Sequence, residues 1–329
     1  MGSSPSTPPV PQTQVVHKYN DVTKDKVKEA KERKRRTQER QEREREERLK
    51  RLQDETNRKR QELLNYRFGN FHGQHYFDGL DIRDIQEEGL RIGLFGPSGS
   101  GKSSFINTCE RAMNPDLRRG TADVQTAHGE GTIVLQEFLD DLDNDFRLVD
   151  TRGLFRHNIQ EFTALADIVY GRIRPGQEVK FGRPVDNEDS EEYFPNWLHA
   201  IIIVLSATDP RLQDGHTHRN NLKIVRDFMR RRVTTVITHH DKIDESQEED
   251  VLAKASAATG SARDHTFFVA NYHVDKKKTD YNTEMDAMEV MKSALKVAER
   301  YVKIHKIQEM VEREDEAPNN FEATGGKYQ

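Results

Sequence analysis

Apolar and polar residues fall into distinct regimes along this 329-residue chain. Residues 1–22 are rich in Ser, Pro, Thr and Gln and lack an apolar run, so disorder is expected there. Residues 23–66 contain good helix formers and neither Gly nor Pro, which predicts a helix. From Lys31 to Arg48 no position is apolar, so a coiled-coil seam, which needs apolar a and d positions, is lacking. Glu29 with Arg33, Glu32 with Arg36, Glu39 with Arg43, Glu44 with Arg48, Glu46 with Lys50 and Glu47 with Arg51 are spaced to pair along a solvated helix. Only Leu49, Leu52, Leu63 and Leu64 could dock its far end.

Residues 67–90 form an aromatic and Gly-rich lead-in, and 91–311 carry an alternation of strand and helix patterns. Strands are expected at Arg91–Phe95, Thr132–Phe138, Phe146–Val149, Ala200–Leu205, Val233–Thr238 and Thr266–Ala270. The alternating Thr132–Phe138 reads as an edge strand, and the continuously apolar Ala200–Leu205 as a central strand buried on both faces. Helices are expected at Lys102–Met113, Glu161–Tyr170, Asn220–Arg232, Gln247–Ala258 and Thr283–Val311, with a loop insertion at 172–196 and a disordered tail over 312–329. The predicted fold class is α/β: a Rossmann-like, mostly parallel sheet with helices on both faces, preceded by a long charged helix.

Composition adds limits. Charged residues make up 33% of the chain, yet net charge is only −5, which gives no strong attraction to nucleic acid. The single cysteine, Cys109, cannot form an internal disulfide, and a cytoplasmic, reducing setting is expected. No apolar run approaches the length of a membrane span.

The most informative motif is Gly96-Pro97-Ser98-Gly99-Ser100-Gly101-Lys102-Ser103, followed by Ser104. It satisfies the G-x-x-x-x-G-K-[ST] phosphate loop and lies between a predicted strand and a predicted helix. Glycines let backbone amides turn around an anion, and the helix N-terminus adds partial positive charge. Lys102 is the candidate for neutralising the β- and γ-phosphates, and the Ser103 hydroxyl for magnesium. Asp150-Thr151-Arg152-Gly153 follows an apolar strand. It fits a carboxylate held near magnesium and a glycine amide facing the γ-phosphate.

A switch threonine, also a magnesium ligand, is sought among Thr121, Thr126 and Thr132, and Thr126 is favoured because it precedes the second strand. Thr238-His239-His240-Asp241 ends a strand. A carboxylate there can accept two hydrogen bonds from guanine N1–H and the exocyclic amine, a donor pair adenine lacks, so Asp241 is the candidate GTP reader. The usual element is Asn-Lys-x-Asp; here Thr238 stands for Asn and His239 for Lys. A metal reading of His239-His240-Asp241 is disfavoured because adjacent residues at a strand end face opposite ways. Asn271, within Ala270-Asn271-Tyr272, marks a segment where a backbone amide could meet the guanine carbonyl. Leu154 follows Gly153 where many small GTPases carry the Gln that orients water, and His128, His157 or a partner residue are the substitutes. No catalytic residue is assigned, and slow hydrolysis stimulated by self-association or a partner is expected.

Together, Gly96–Ser103, Asp150–Gly153, the Thr-His-x-Asp element at Thr238–Asp241 and Asn271-Tyr272 resemble the G domain of interferon-induced protein 44 and its relatives over about Glu88–Val311. The resemblance implies a TRAFAC-type G domain, binding of GTP or GDP with Mg2+, and an immune or antiviral setting. Some relatives carry a further N-terminal domain where this chain has its charged helix. Immunity-associated and septin-like GTPases are the nearest other resemblances.

The start Met1-Gly2-Ser3-Ser4-Pro5-Ser6 fits the pattern for myristoylation of Gly2, and Arg33-Lys34-Arg35-Arg36 could act as a second, polybasic membrane signal. The same run could serve as a nuclear-import or RNA-binding patch, but a solvated helix face is the preferred reading of those basic residues. Two other functions fit the same motifs: a P-loop ATPase, opposed by Asp241, and a nucleotide-stabilised scaffold working through the charged helix. Homodimerisation through the G domain and a protein partner on the helix are the partner expectations.

Overall fold

A computed structural model describes residues 12–73, 75–117, 121–122, 133–151, 159–179, 193–272 and 279–316. The elements, in chain order, are helix α1 (Gln12–Leu64), α2 (Arg83–Glu88), β1 (Leu90–Phe95), α3 (Lys102–Met113), β2 (Ile133–Val134), β3 (Gln136–Phe138), β4 (Phe146–Asp150) and α4 (Ile159–Val169). They continue as β5 (Glu178–Val179), β6 (Ala200–Ser206), α5 (Pro210–Gln213), α6 (Thr217–Asn221), α7 (Lys223–Phe228), β7 (Val233–Thr238), α8 (Glu245–Thr259), β8 (Thr266–Val269) and α9 (Tyr281–Glu316). The chain divides into two compact units, Met1–Glu55 and Thr56–Gln329.

In the first unit the described chain is helical, and Lys26–Arg51 is exposed throughout. Of the expected Glu-before-Arg pairs, Glu32 with Arg36 forms at 2.8 Å; Arg35 with Glu39 and Arg40 with Glu44 pair in the reverse order. Exposed pairs of this kind contribute little. The helix begins at Gln12, earlier than the expected 23, because Pro11 is the last proline before it.

The second unit is built on a six-stranded sheet ordered β3-β4-β1-β6-β7-β8. Every pairing in it is parallel except β3 with β4. Both faces are covered, so all seven residues of β6 are buried. Side chains alternate along it: Ala200, Ile202 and Val204 enter one core with α3 and α9, while Ile201, Ile203 and Leu205 enter the other with α4, α7 and α8. This is the α/β fold of a P-loop NTPase, with β1 at the centre of the sheet feeding the phosphate loop.

Departures from the expected elements have local causes. Thr132–Phe138 is not one strand. Leu135 is buried in the second core and breaks the run, so β2 pairs with β5 in a separate antiparallel ribbon and only β3 joins the main sheet. That ribbon and a 3-10 turn at Phe194–Asn196 give structure to part of the expected 172–196 loop. The expected helix over 220–232 is broken at Leu222, whose backbone leaves helical geometry as its side chain buries, and it ends at Phe228, before Arg231 turns through a left-handed φ of 61° into β7. Residues 312–316 of the expected tail continue α9.

The last turns of α1 belong to this unit. Thr56, Arg60 and Leu63 are buried at i, i+4 and i+7 and form one docked face, whereas Leu49 is exposed. The lead-in then folds onto α9. Glu299, fully buried, accepts hydrogen bonds from Tyr66 Oη at 2.7 Å and the Gly69 amide at 2.9 Å. Among the described residues no helix is long and apolar enough to cross a membrane.

Candidate nucleotide-binding site

The turn between β1 and α3 is shaped by close backbone approach. A Cβ on Gly96 would stand 2.2 Å from the Val204 carbonyl oxygen of β6, so only glycine lets the chain pass there. Gly101, with φ +90°, caps α3 in the left-handed region. Ser98 and Gly99 form the exposed tip, and nothing lies within 4 Å of where a Gly99 Cβ would be. Ser103 and Ser104 stand half-buried on the first turn of α3. The result is a loop with an exposed tip opening onto a helix N-terminus, the geometry that receives phosphate.

Lys102 is buried, and its Nζ donates to the carbonyls of Gly96 at 2.6 Å and Pro97 at 3.1 Å. Burial lowers its pKa to about 8, while the Asp150 carboxylate acts in the opposite direction. Asp150 is itself buried at the end of β4, paired in register with Leu94 of β1. Thr151 fixes the turn after it by donating its hydroxyl to Leu94 O at 2.6 Å. The loop lysine and the acidic residue of the D-x-x-G element are therefore brought together, as the sequence spacing implied. Gly153 lies outside the described residues, as do Thr126, Thr132, His128, Leu154 and His157.

The ends of β7 and β8 hold this loop from behind. Thr238, fully buried, donates its hydroxyl to Ser100 O at 2.6 Å. Asn271 Nδ2 donates to Gly101 O at 3.2 Å. Ser100 Oγ and Asn271 Oδ1, both buried, have no hydrogen-bond partner among the described residues. Buried polar atoms left so are rare and mark places where water or a ligand completes the structure. His239 sits at φ 59°, its Nδ1 3.1 Å from Ser206 Oγ and 3.0 Å from Thr238 Oγ1. Asp241 is exposed, with no protein hydrogen bond or ion pair among the described residues, so its carboxylate is available to a base.

Other candidates are reassigned. Thr121 is taken up by α3: its amide donates to Glu110 at 2.7 Å and its hydroxyl to the same carboxylate, which removes it from the switch candidates. The Tyr272 amide donates to Thr108 Oγ1 at 3.1 Å, so within the Asn271 segment that amide is committed to α3. His240 turns away from His239: it stacks on Phe268 and lies 2.6 Å from Glu248. Among the described residues no group of three or more His, Cys, Asp and Glu could hold a metal ion. A magnesium site would draw instead on phosphate oxygens, with the Ser103 hydroxyl and the Asp150 carboxylate as this chain's candidates. Sequence reasoning did not single out Ser206, whose hydroxyl fixes the His239 ring. The signal lay in the polar residue closing the apolar run of β6.

Fold and loop together define a P-loop NTPase of the α/β class. No family model and no curated protein sequence matches the chain. Among solved structures it is similar to a point variant of SsGBP (14% identity, TM-score 0.37, covering 64% of this chain and 58% of that one). It is also similar to the G domain of the T. maritima FeoB iron transporter (17%, TM-score 0.32, 64% and 98%). A third is a nucleolar GTP-binding protein 1 from Plasmodium falciparum (16%, TM-score 0.37, 69% and 96%). The chain thus spans less than two thirds of the length of the SsGBP chain.

Proposed function

We propose that this chain is a GTP-binding protein whose nucleotide, held with Mg2+, acts as a switch and is hydrolysed slowly. One observation carries the reading: the segments ending in Thr238 and containing Asn271 both hydrogen-bond to the phosphate loop, while Asp241, three residues beyond Thr238, projects a free carboxylate. The strand end that leads to the proposed base reader is thereby tied to the phosphate loop. Backbone amides of Gly96–Ser103 would surround the phosphates, Lys102 would neutralise them, and Ser103 and Asp150 would hold the metal, with Thr126 expected to join from the switch segment. Bound magnesium supplies charge neutralisation between the phosphates. Asp241 would accept from guanine N1–H and the exocyclic amine. Hydrolysis is slow in this reading because Leu154 cannot orient a water. The resemblance to interferon-induced protein 44 extends the proposal to an immune or antiviral role in the cytoplasm.

The test is a titration of GTP and ATP with magnesium into wild type and Asp241→Ala, with phosphate release followed against protein concentration. Preference for GTP in wild type, lost in the variant, is expected. Equal affinity for GTP and ATP in wild type removes the specificity argument, and fast turnover by dilute monomer removes the slow-hydrolysis one.

A further inference from the structure

The buried face at the end of α1 carries an arginine, and a buried guanidinium costs free energy unless fully paired. Arg60 is 6% exposed and its donors are engaged on three sides. Nε donates to Ala112 O at 2.6 Å, Nη1 to Asn57 Oδ1 at 2.5 Å and Nη2 to Glu284 Oε2 at 2.7 Å. Ala112 lies on the last turn of α3, the helix that begins at the phosphate loop. Glu284, on the first turn of α9, is 1% exposed; burial pushes its carboxyl up and Arg60 opposes that shift. The other oxygen of Glu284 lies 3.1 Å from Tyr272 Oη, and Tyr272 Oη also accepts the Asp280 amide at 2.7 Å.

Tyr272 is held from two more directions. Its amide donates to Thr108 Oγ1 in the middle of α3, and the Arg111 guanidinium lies 3.9 Å over its ring. The residue before it, Asn271, donates to Gly101 O at the start of α3. The same helix is therefore gripped at its start by Asn271, at its middle by Tyr272 and at its end by Arg60, and Glu284 joins the last two grips. Lys59 and Lys292 extend the dock by pairing with Glu289 and Glu62.

We infer that Arg60 is a positioning residue for the nucleotide site: through Glu284 and Tyr272 it holds the Asn271 segment against the phosphate loop, so the seating of the α1 root and nucleotide affinity depend on each other. The inference rests on the GTP reading above. The dependence is reciprocal: a nucleotide that tightens the Asn271 segment stabilises the seated root by the same factor that unseating weakens the nucleotide.

The experiment uses the full chain as wild type, as the double variant Arg60→Met with Glu284→Gln, and as Lys306→Met. The double variant leaves no unpaired buried charge and so preserves the fold better than either single change. Lys306, paired with Asp84 at 2.7 Å, controls for loss of an ion pair outside this chain of contacts. Release of a fluorescent GTP analogue and amide exchange over residues 57–64, with and without GTP and magnesium, are measured. The double variant should release nucleotide about tenfold faster, within the range of ordinary coupling between sites, while Lys306→Met releases at the wild-type rate. In wild type alone, nucleotide should slow exchange at the root. A folded double variant releasing at the wild-type rate overturns the inference. If the double variant does not fold, unchanged root exchange in nucleotide-bound wild type overturns it equally. A wild type that binds no GTP refutes instead the reading on which the inference rests.

Discussion

Replacing Lys102 by Met removes a buried ammonium whose titration is written into the stability of the ligand-free chain. Burial lowers the folded pKa to about 8, against 10.5 for the ordinary group. Below pH 8 both folded and unfolded states hold the proton, and the depressed pKa costs stability in full. Between 8 and 10.5 the folded chain releases the proton first, the unfolded state binds more protons, and stability rises with pH. Integrated from pH 8 to 10, this shift contributes about 2 kcal/mol. Cys109 works against it in the same window, because burial raises its thiol pKa and only the unfolded chain ionises there. Cys109 is present in both proteins, so the wild-type minus Lys102→Met difference in urea-unfolding free energy isolates the lysine. That difference should grow in favour of wild type by about 2 kcal/mol from pH 8 to 10. With saturating GTP and magnesium the increment in wild type should shrink, because phosphate charge favours the ammonium. Parallel stability curves for the two ligand-free proteins over this range would refute the buried, weakly compensated lysine.

Further outcomes concern the loop and its supports. Gly96→Ala places a methyl 2.2 Å from Val204 O, so the loop must move by about 1 Å; nucleotide affinity should fall on the order of 100-fold with the far-ultraviolet dichroism unchanged, as calorimetry would read. Thr238→Val leaves Ser100 O without its 2.6 Å donor and should lower stability by about 1–3 kcal/mol in urea unfolding, with faster nucleotide release. Asp241→Asn replaces an acceptor by an amide that can donate to a carbonyl on the base; preference should move from GTP toward xanthosine triphosphate, and unchanged GTP selectivity in a competition assay would remove Asp241 from the base site.

Strands were most legible where burial is simplest. Ala200–Ser206 extends its expected run by one residue, because a strand covered on both faces needs apolar side chains at nearly every position, and Val233–Thr238, built only of β-branched residues, occupies its expected bounds. Legibility failed where polar residues enter the core. At the dock of α1 the leucines Leu63 and Leu64 are readable and pack on the core, but Thr56 and Arg60, buried on the same face, are polar and lie outside any hydrophobic periodicity. The break at Leu222 has a local cause instead: Asn220 and Asn221 precede it, and their side chains compete for backbone hydrogen bonds and favour helix ends. In the site, Gly96–Ser103 was readable from local spacing, but the contact of Thr238 with Ser100 spans 138 positions and belongs to the sheet order alone.

The departures at Thr238 and His239 from the usual Asn-Lys-x-Asp element find a common explanation in that contact. An asparagine side chain presents both a donor and an acceptor, whereas the Thr238 hydroxyl, held at the end of β7, supplies the donor to Ser100 O and also lies 3.0 Å from His239 Nδ1. A second amide donor to the loop is present all the same, from Asn271 on the neighbouring strand's exit, directed at Gly101 O. The loop is thus held from two adjacent strands, β7 and β8, which are paired up to Thr238 and Val269. His239 then needs no flexible stem. Its left-handed backbone turns the ring back between Ser206 and Thr238, where two hydroxyls fix its plane. A fixed imidazole loses less conformational entropy on meeting a base than a lysine chain does, since long flexible side chains are among the most expensive to order. In the proposed GTP reading, Thr238 and Asn271 therefore supply the link between the phosphate loop and the strand ends of β7, which precedes Asp241, and β8.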